Sequence, residues 1–379
     1  MNGTTTIFRV SGIEVRIHYS WWIIFVLLSW SLATAFFPLH FPGLTKIEYG
    51  GMGIISALLL FCSVLLHELS HSLVAKAKKI QVENITLFFF GGVAGITTEE
   101  MKPSTEFLMA LAGPVFSFVF SGISYVLFLA KIQIYITTIA FYLYQINFVL
   151  ALFNLLPGYP LDGGRAFRAL LSYYYKDLKK ATRIAVKGGK IVASSLIILG
   201  IWSFFTNSGS GLWFIILGGF LYFIAGLSYE QVILREVLKP ILVEEVIIKK
   251  CPVVDAEMKI GDFVTKFRKE NQQVFFVKSK TFQGILELED LGNISEKIKE
   301  GRNVKTLAKP LSAVQEIQKK DTVYNALQKL SEQGRKALPV VEKGKVVGII
   351  TREAIHNRLL WELKIQGQNQ IIQRIKVKR

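Results

Sequence analysis

The segment His67-Glu68-Leu69-Ser70-His71 carries the side chains best suited to chemistry in this sequence. It lies in a long apolar stretch typical of a helix, where residues i and i+4 share one face, so both imidazoles can bind one Zn²⁺. Glu68, next to the first predicted ligand, can accept a proton from a water molecule. Ionisable side chains within an apolar helix are costly unless they have partners or a polar cavity. We therefore predict a catalytic metal site rather than a chance match.

A hydrolytic zinc site needs a third protein ligand and an open position for water. The other histidines are poorly placed for this: His18, His40 and His356. Asp162 follows an apolar segment on the side where the segment containing His71 ends, and a carboxylate oxygen is an acceptable zinc ligand. From its position alone, Asp162 could instead cap a helix that begins near Gly163-Gly164, or do both.

Six apolar segments must position these side chains. They cover approximately residues 21–37, 51–75, 107–130, 135–156, 190–205 and 212–227. Several approach the roughly 20 residues that span a bilayer, while the first, fifth and sixth are short enough to predict little tilt or a thinned bilayer. Hydrophobic residues make up 51% of the chain, and the mean hydropathy is +0.40. We predict an α-helical polytopic membrane domain of about six spans over residues 1–230, with the lipid bilayer around it.

Basic residues predict the orientation of these spans. With the N-terminus in the cytoplasm, the outside loops carry only Lys46 and Lys131, which is a clear positive-inside asymmetry. Both termini are then cytoplasmic, and we expect a multi-pass protein of a prokaryotic cell membrane that enters by an uncleaved first helix. The net charge of +17 follows this clustering. Since no nucleic-acid-binding motif is present, no nucleic-acid partner is expected.

Small β elements accompany the spans. Residues 7–19 alternate around a glycine and predict a short hairpin. Residues 82–98 are β-branched and aromatic, are broken by Gly91-Gly92, and predict a second hairpin or small sheet. Because open strand edges cannot face lipid, this element must lie in the interface or against protein.

The chain beyond Pro240 has the pattern of a soluble α/β domain. Residues 272–291 resemble residues 336–355, and each stretch predicts strand, turn, strand and the start of a helix. An amphipathic stretch that begins near Asp262 or Asp321 precedes each of them. We interpret this as an internal duplication over residues 240–365, followed by a polar, basic tail at 366–379 that is expected to fray.

Two paired motifs give the membrane domain a resemblance to the site-2 protease family of intramembrane zinc metalloproteases. The first is the segment 67–71, and the second is Asn154…Pro157…Pro160-Leu161-Asp162-Gly163; Ala112-Gly113-Pro114, Gly91-Gly92 and Asn147 extend the match over most of residues 1–230. The resemblance implies that Asp162 is the third ligand, that Glu68 is the catalytic base and that Asn147 holds the substrate or the oxyanion. The alternative for Asn147 is an interhelical hydrogen bond.

The duplicated part resembles a pair of cystathionine-β-synthase-type (CBS) domains, which often bind adenine nucleotides and regulate an attached enzyme or transporter. The family's ribose-contacting pattern ends in Thr, two residues and Asp. The first repeat keeps Asp290 but has Glu287 at the Thr position, and the second keeps Thr351 but has Ala354 at the Asp position. Asp290 and Thr351 are the candidate nucleotide contacts, although Glu287 would repel an anion. The alternative is a packing or homodimerisation module.

The resemblances predict an intramembrane zinc endopeptidase that cleaves transmembrane segments of membrane-protein substrates, in regulated intramembrane proteolysis with modulation by nucleotide. The rival is a CBS-regulated membrane transporter or channel, which should have polar residues spread through several spans. Here the ionisable residues at depth are confined to the zinc motif. An inactive scaffold is disfavoured because all four proposed catalytic residues are present: His67, Glu68, His71 and Asp162.

Overall fold

The computed structural model describes residues 3–89, 91–96, 101–206, 211–268, 273–292, 301–368 and 372–373. The chain divides into two compact units, Met1–Tyr229 and Glu230–Arg379. Most of the predicted tail at 366–379 lies outside the described residues, as do Phe90, Thr97 and Thr98 of the second predicted hairpin and Gln272 of the first repeat.

Eight helices are described up to residue 238. They are α1 (Ser20–Ser31), α2 (Phe37–His40), α3 (Lys46–Ala77), α4 (Pro103–Ala130), α5 (Ile134–Asn154), α6 (Asp162–Tyr175), α7 (Leu178–Phe205) and α8 (Gly211–Leu238). A π-helical turn, Leu32–Phe36, joins α1 to α2 in one continuous span. This span and five others, α3, α4, α5, α7 and α8, are long and apolar enough to cross a membrane. The predicted multi-pass membrane fold is confirmed.

The expectation of short fifth and sixth spans is wrong. Helices α7 and α8 have 28 residues each, which at 1.5 Å per residue is about 42 Å and exceeds the roughly 30 Å hydrocarbon core. The first part of α7 carries Lys179, Lys180, Arg183 and Lys187, so the apolar run begins well inside the helix. Asp177 starts α7 by accepting a hydrogen bond from the backbone N–H of Lys180 at 2.9 Å.

Helix α3, which carries the predicted metal motif, starts at a capping box. The Thr45 hydroxyl accepts from the Glu48 N–H at 3.4 Å, and the Glu48 carboxylate accepts from the Thr45 N–H at 2.6 Å. These contacts satisfy two backbone donors that the first helical turn cannot pair. From there α3 continues for 32 residues, because its sequence is apolar and contains no proline.

The two predicted hairpins form one four-stranded sheet. Strand β1 (Thr4–Val10) pairs antiparallel with β2 (Ile13–His18), and β3 (Val82–Phe88) pairs antiparallel with β4 (Gly91–Ile96). A parallel pairing of β2 with β3 joins them, so the strand order is β1-β2-β3-β4. Strand β4 is therefore an edge of this sheet.

The second unit contains two small sheets and the predicted repeat. The first sheet has the order β5-β6-β7-β8 and the second β11-β10-β9. Their strands are β5 (Val253–Asp255), β6 (Val274–Lys278), β7 (Gln283–Glu287), β8 (Lys309–Pro310), β9 (Ile317–Gln318), β10 (Ala337–Glu342) and β11 (Lys345–Thr351). Among the described residues of this unit, the α-helices that follow α8 are α9 (Ile260–Phe267), α10 (Glu289–Gly292), α11 (Val323–Glu332) and α12 (Arg352–Ile365). In each repeat a helix precedes an antiparallel strand pair, β6–β7 or β10–β11, and a helix follows it, as the sequence pattern predicts.

Candidate metal centre

Helices α3 and α6 bring the three predicted zinc ligands together. His67 and His71 lie one turn apart on α3 and are 3% exposed, and Asp162 is the first residue of α6. The Asp162 Oδ2 atom lies 3.1 Å from His67 Nε2 and 3.2 Å from His71 Nε2. One ligand atom from each side chain lies within 4.8 Å of the other two. Two nitrogens and one oxygen thus converge as a tetrahedral zinc site requires.

Helix α4 orients both imidazoles through their Nδ1 atoms, on the side of each ring away from Asp162. His71 Nδ1 lies 2.6 Å from the carbonyl oxygen of Met109, and His67 Nδ1 lies 2.8 Å from the Ser117 hydroxyl. A carbonyl only accepts, so His71 Nδ1 carries the proton and Nε2 keeps the lone pair that binds a metal. The sequence did not predict the hydrogen bonds of the imidazoles to Ser117 and to the Met109 carbonyl. A polar residue four positions after Gly113, on the same helix face, was the available signal for Ser117. A backbone carbonyl has no such signal, because every residue has one.

Gly113 places the backbone of α4 directly against the two predicted histidine ligands. A Cβ atom at this position would lie 2.2 Å from His71 Nε2 and 2.5 Å from His67 Nε2. Any side chain would therefore displace the two nitrogens. This contact gives a physical reason for the Ala112-Gly113-Pro114 match, because only glycine allows this approach.

Glu68 lies beside the predicted ligands and against strand β4. It is partly buried, and its Cγ atom is so close to Gly92 that a Cβ there would lie only 2.5 Å away. The edge strand β4 therefore contacts the proposed general base through a glycine backbone.

The Asp162 carboxylate does not cap α6. The N-cap residue is Leu161, which makes no side-chain cap bond, and the carboxylate instead faces the two imidazoles. The position of Asp162 in the first turn of α6 favours its negative charge.

Glycines hold the loop before Asp162 against its neighbours. A Cβ at Gly164 would lie 2.2 Å from the carbonyl carbon of Gly158, and one at Gly189 of α7 would lie 1.8 Å from the Tyr159 oxygen. The Tyr159 N–H also donates to the Ala185 carbonyl at 3.0 Å. The loop is thus clamped between two helices, which limits how far Asp162 can move.

Asn147 is fully buried on α5. Its Nδ2 donates to the Leu143 carbonyl at 2.9 Å, and its Oδ1 has no hydrogen-bond partner among the described residues. The rings of Phe118 and Phe148 are 5.8 Å apart, so Asn147 lies level with the turn of α4 that contains Ser117. The role of Asn147 stays a prediction.

The two rejected histidines of the first unit and the candidate nucleotide contacts have hydrogen-bond partners of their own. His18 Nδ1 lies 2.8 Å from the Ser20 hydroxyl, and His40 Nδ1 lies 2.9 Å from the Phe36 carbonyl oxygen. In the second unit, Asp290 accepts from the Glu287 N–H at 3.1 Å, and Thr351 accepts from the Ala354 N–H at 3.1 Å. Thr351 thus caps the start of α12, whereas Asp290, within α10, bonds back to the last residue of β7.

Glu287 has an internal partner that the sequence did not reveal. Its Oε1 lies 3.1 Å from Arg335 Nε, and both side chains are buried. The same oxygen accepts from the N–H groups of Lys336 and Ala337 at 3.1 and 3.3 Å. The expected repulsion of an anion is therefore offset by a buried ion pair that joins the two repeats.

Comparison with known proteins finds relatives over most of the chain. The model of "Peptidase family M50" matches residues 55–133 and 129–196, and the CBS domain model matches residues 311–360. The chain is 32% identical over 369 residues to the putative zinc metalloprotease sll0528 of Synechocystis, covering 94% of this chain and 95% of that protein. It is 29% identical over 352 residues to the putative zinc metalloprotease Rip3 of Mycobacterium tuberculosis, covering 90% and 89%. A solved site-2 protease from Methanocaldococcus jannaschii aligns with 29% identity over 59% of this chain and 94% of that chain, with a TM-score of 0.42.

The chain belongs to peptidase family M50, the site-2 protease family. It is a multi-pass intramembrane zinc metalloprotease with a CBS region in its C-terminal part. The transporter or channel alternative is set aside.

Proposed function

We propose that this protease cleaves transmembrane segments of membrane-protein substrates, with His67, His71 and Asp162 as zinc ligands and Glu68 as general base. The observation that carries the proposal is the convergence of the three ligand atoms within 4.8 Å on helices of a membrane-spanning unit. Two imidazole nitrogens and a carboxylate oxygen suit Zn²⁺ and leave a position for water. When bound, Zn²⁺ supplies Lewis acidity that activates water and polarises a carbonyl group.

The residues of the chain supply the proton transfers. Glu68 accepts a proton from the attacking water and returns it to the leaving amine, a contribution of about 10²- to 10⁴-fold in rate. Asn147 keeps its proposed role in holding the substrate or the oxyanion. Its Nδ2 group has a second N–H besides the one that the Leu143 carbonyl accepts.

Strand β4 is the proposed docking edge for the substrate. A helical segment must lose its internal hydrogen bonds before its peptide bond can be attacked, and a strand edge supplies replacements. Strand β4 is at the end of the sheet order, and its Gly92 contacts Glu68. A substrate strand added there would run past the general base.

Water is proposed to enter from the cytoplasm. His71 lies six residues before the end of α3, which is about 9 Å along the axis. The positive-inside prediction places this end, and both chain termini, on the cytoplasmic side of a prokaryotic cell membrane.

The test of the protease mechanism is Glu68→Gln in the purified full-length protein. We expect zinc content equal to wild type by elemental analysis, because Glu68 is not a ligand, and cleavage of a model transmembrane substrate reduced at least about 100-fold. Glu83→Gln, at an exposed position on β3, is the matched control and should leave both unchanged. Loss of zinc from Glu68→Gln, or full activity, would contradict the assigned role.

We further propose that residues 240–365 form a CBS pair that regulates proteolysis, with Asp290 and Thr351 contacting a bound adenine nucleotide and with homodimerisation as a second role. The match of the CBS model to residues 311–360 supports this. Titration of AMP or ATP into the full chain, followed by calorimetry and cleavage rate, tests it. Weak binding that Asp290→Ala removes is the expected result. No heat and no rate change at millimolar nucleotide would reject regulation by nucleotide and leave the protease assignment intact.

A further inference from the structure

One buried ion pair in the membrane-spanning unit takes no part in the mechanism above. Glu106 lies in the first turn of α4 and is 4% exposed. The Arg168 side chain of α6 is also largely buried, and its Nε donates to Glu106 Oε1 at 2.9 Å. A second guanidinium nitrogen, Nη2, donates to the same oxygen. The Arg168 guanidinium also lies 5.0 Å from the centre of the Tyr159 ring, so Arg168 joins α4, α6 and the loop before Asp162.

On α4, Glu106 belongs to the face that holds the histidines. Residues three or four positions apart share a helix face. The series Glu106, Met109, Gly113 and Ser117 advances in steps of three, four and four residues. Met109 and Ser117 contact the two Nδ1 atoms, and Gly113 lies against the two Nε2 atoms. Arg168 is thus attached to the surface against which both imidazoles are set.

On α6, Arg168 lies six residues after Asp162, about 9 Å along the axis. Zinc–ligand distances tolerate deviations of about 0.2 Å. Rotating α6 about Arg168 by only about 1° would move Asp162, about 9 Å away, by such a distance. An attachment at Arg168 is therefore well placed to set where Asp162 stands relative to the histidines.

Charge and shape both matter at this position. An unpaired charge buried in a membrane-spanning unit is costly, so Glu106 and Arg168 hold each other in place. The planar guanidinium can direct two N–H groups to a carboxylate while its face lies on an aromatic ring. A lysine ammonium keeps the charge but cannot make both contacts with one fixed geometry.

We propose that Arg168, held by Glu106 and Tyr159, is a positioning residue of the zinc site that fixes Asp162 relative to His67 and His71. The inference rests on the proposed role of Asp162 as a ligand.

The test is zinc affinity, measured by competition with a chelator, together with kcat and KM for a model transmembrane substrate. For Arg168→Lys we expect the zinc Kd to rise about 10- to 100-fold, as for other outer partners of metal ligands. At saturating zinc, kcat should fall while KM is unchanged, because the substrate-binding strand β4 is not touched. Glu106→Gln keeps one acceptor oxygen, so it should show a smaller loss of zinc affinity and kcat. It provides the test of the proposal if Arg168→Lys does not fold. The exposed Arg183 of α7 gives the matched control Arg183→Lys, for which zinc affinity and kcat should not change.

A purely structural role predicts a different result. Thermal unfolding of the zinc-free protein would then occur at lower temperature, while the folded fraction would keep wild-type zinc affinity and kcat, and this would overturn the proposal. Asp162→Asn tests the ligand role of Asp162 separately from the positioning role of Arg168. If Asp162→Asn keeps wild-type zinc affinity, the assignment of Asp162 as a ligand is wrong. If Asp162→Asn loses zinc while Arg168→Lys keeps wild-type affinity, only the positioning role is rejected.

Discussion

Gly113→Ala should inactivate the zinc site without changing any ligand. The added Cβ would lie 2.2 Å from His71 Nε2 and 2.5 Å from His67 Nε2, whereas an ordinary contact begins at 3.4 Å. Both nitrogens would therefore have to retreat by about 1 Å, or α4 would have to move away from α3 by as much. The Met109 carbonyl and the Ser117 hydroxyl belong to the same helix, so either movement also changes the Nδ1 contacts.

The expected magnitude follows from the tolerance of zinc coordination. Ligand distances vary by about 0.2 Å in functional sites, so a displacement of about 1 Å is several times too large. We expect the zinc Kd to rise at least about 100-fold, which corresponds to about 2.8 kcal/mol of binding free energy. Activity at saturating zinc should fall by a similar factor, since a 1 Å misplacement near the chemistry costs about 10²-fold.

Gly122→Ala is the matched control. Gly122 lies on the same helix, and a Cβ there would meet no atom within 4 Å. The intrinsic gain in helix propensity, up to about 1 kcal/mol, is the same for both substitutions. Zinc affinity by chelator competition and cleavage of a model substrate should be normal in Gly122→Ala and lost in Gly113→Ala. Equal zinc affinity in the two variants would refute the close approach of α4 to the ligands.

Three further predictions concern the surroundings of the site and the C-terminal unit. Ser117→Ala should weaken zinc binding about 10-fold, because it removes the hydrogen bond that orients the His67 imidazole. Ser124→Ala, at another buried serine of the same helix, should leave zinc affinity unchanged when both are measured by chelator competition. Asp162→Asn should weaken zinc binding by more than about 100-fold. Asp177→Asn should keep wild-type zinc binding, because asparagine caps α7 equally well. Equal losses of zinc binding in the two variants would show that only the negative charge matters. Glu287→Ala should destabilise the C-terminal unit by about 3 kcal/mol, seen as faster hydrogen exchange of the two amides that bond to its carboxylate, and unchanged exchange would show that the ion pair is dispensable.

Much of the membrane unit was predictable because its signals are local. The i, i+4 spacing puts His67 and His71 on one face of α3 whatever surrounds that helix. The apolar runs located all six spans, and the two hairpins followed from alternation and glycines. The extent of α7 was underestimated because its first turns are basic, and a helix can extend beyond the bilayer that its apolar part crosses.

The contacts that position the predicted ligands could not be predicted in the same way. The carbonyl of Met109 orients His71, and carbonyls leave no trace in residue type. The pairing of β2 with β3 joins segments far apart in the chain, and hydrophobic pattern alone does not select such a partner. Glu287 was expected to repel an anion because the sequence shows its charge but not its partner. That partner, Arg335, lies far along the chain and comes close only in the folded unit.

The ion pair between Glu287 and Arg335 makes the two repeats unequal and mutually dependent. One predicted repeat supplies a buried anion, and the other supplies the cation that neutralises it. Either copy in isolation would carry a charge with no counter-ion inside its core. The two predicted repeats therefore depend on each other for stability, and neither is expected to fold stably when it is expressed alone.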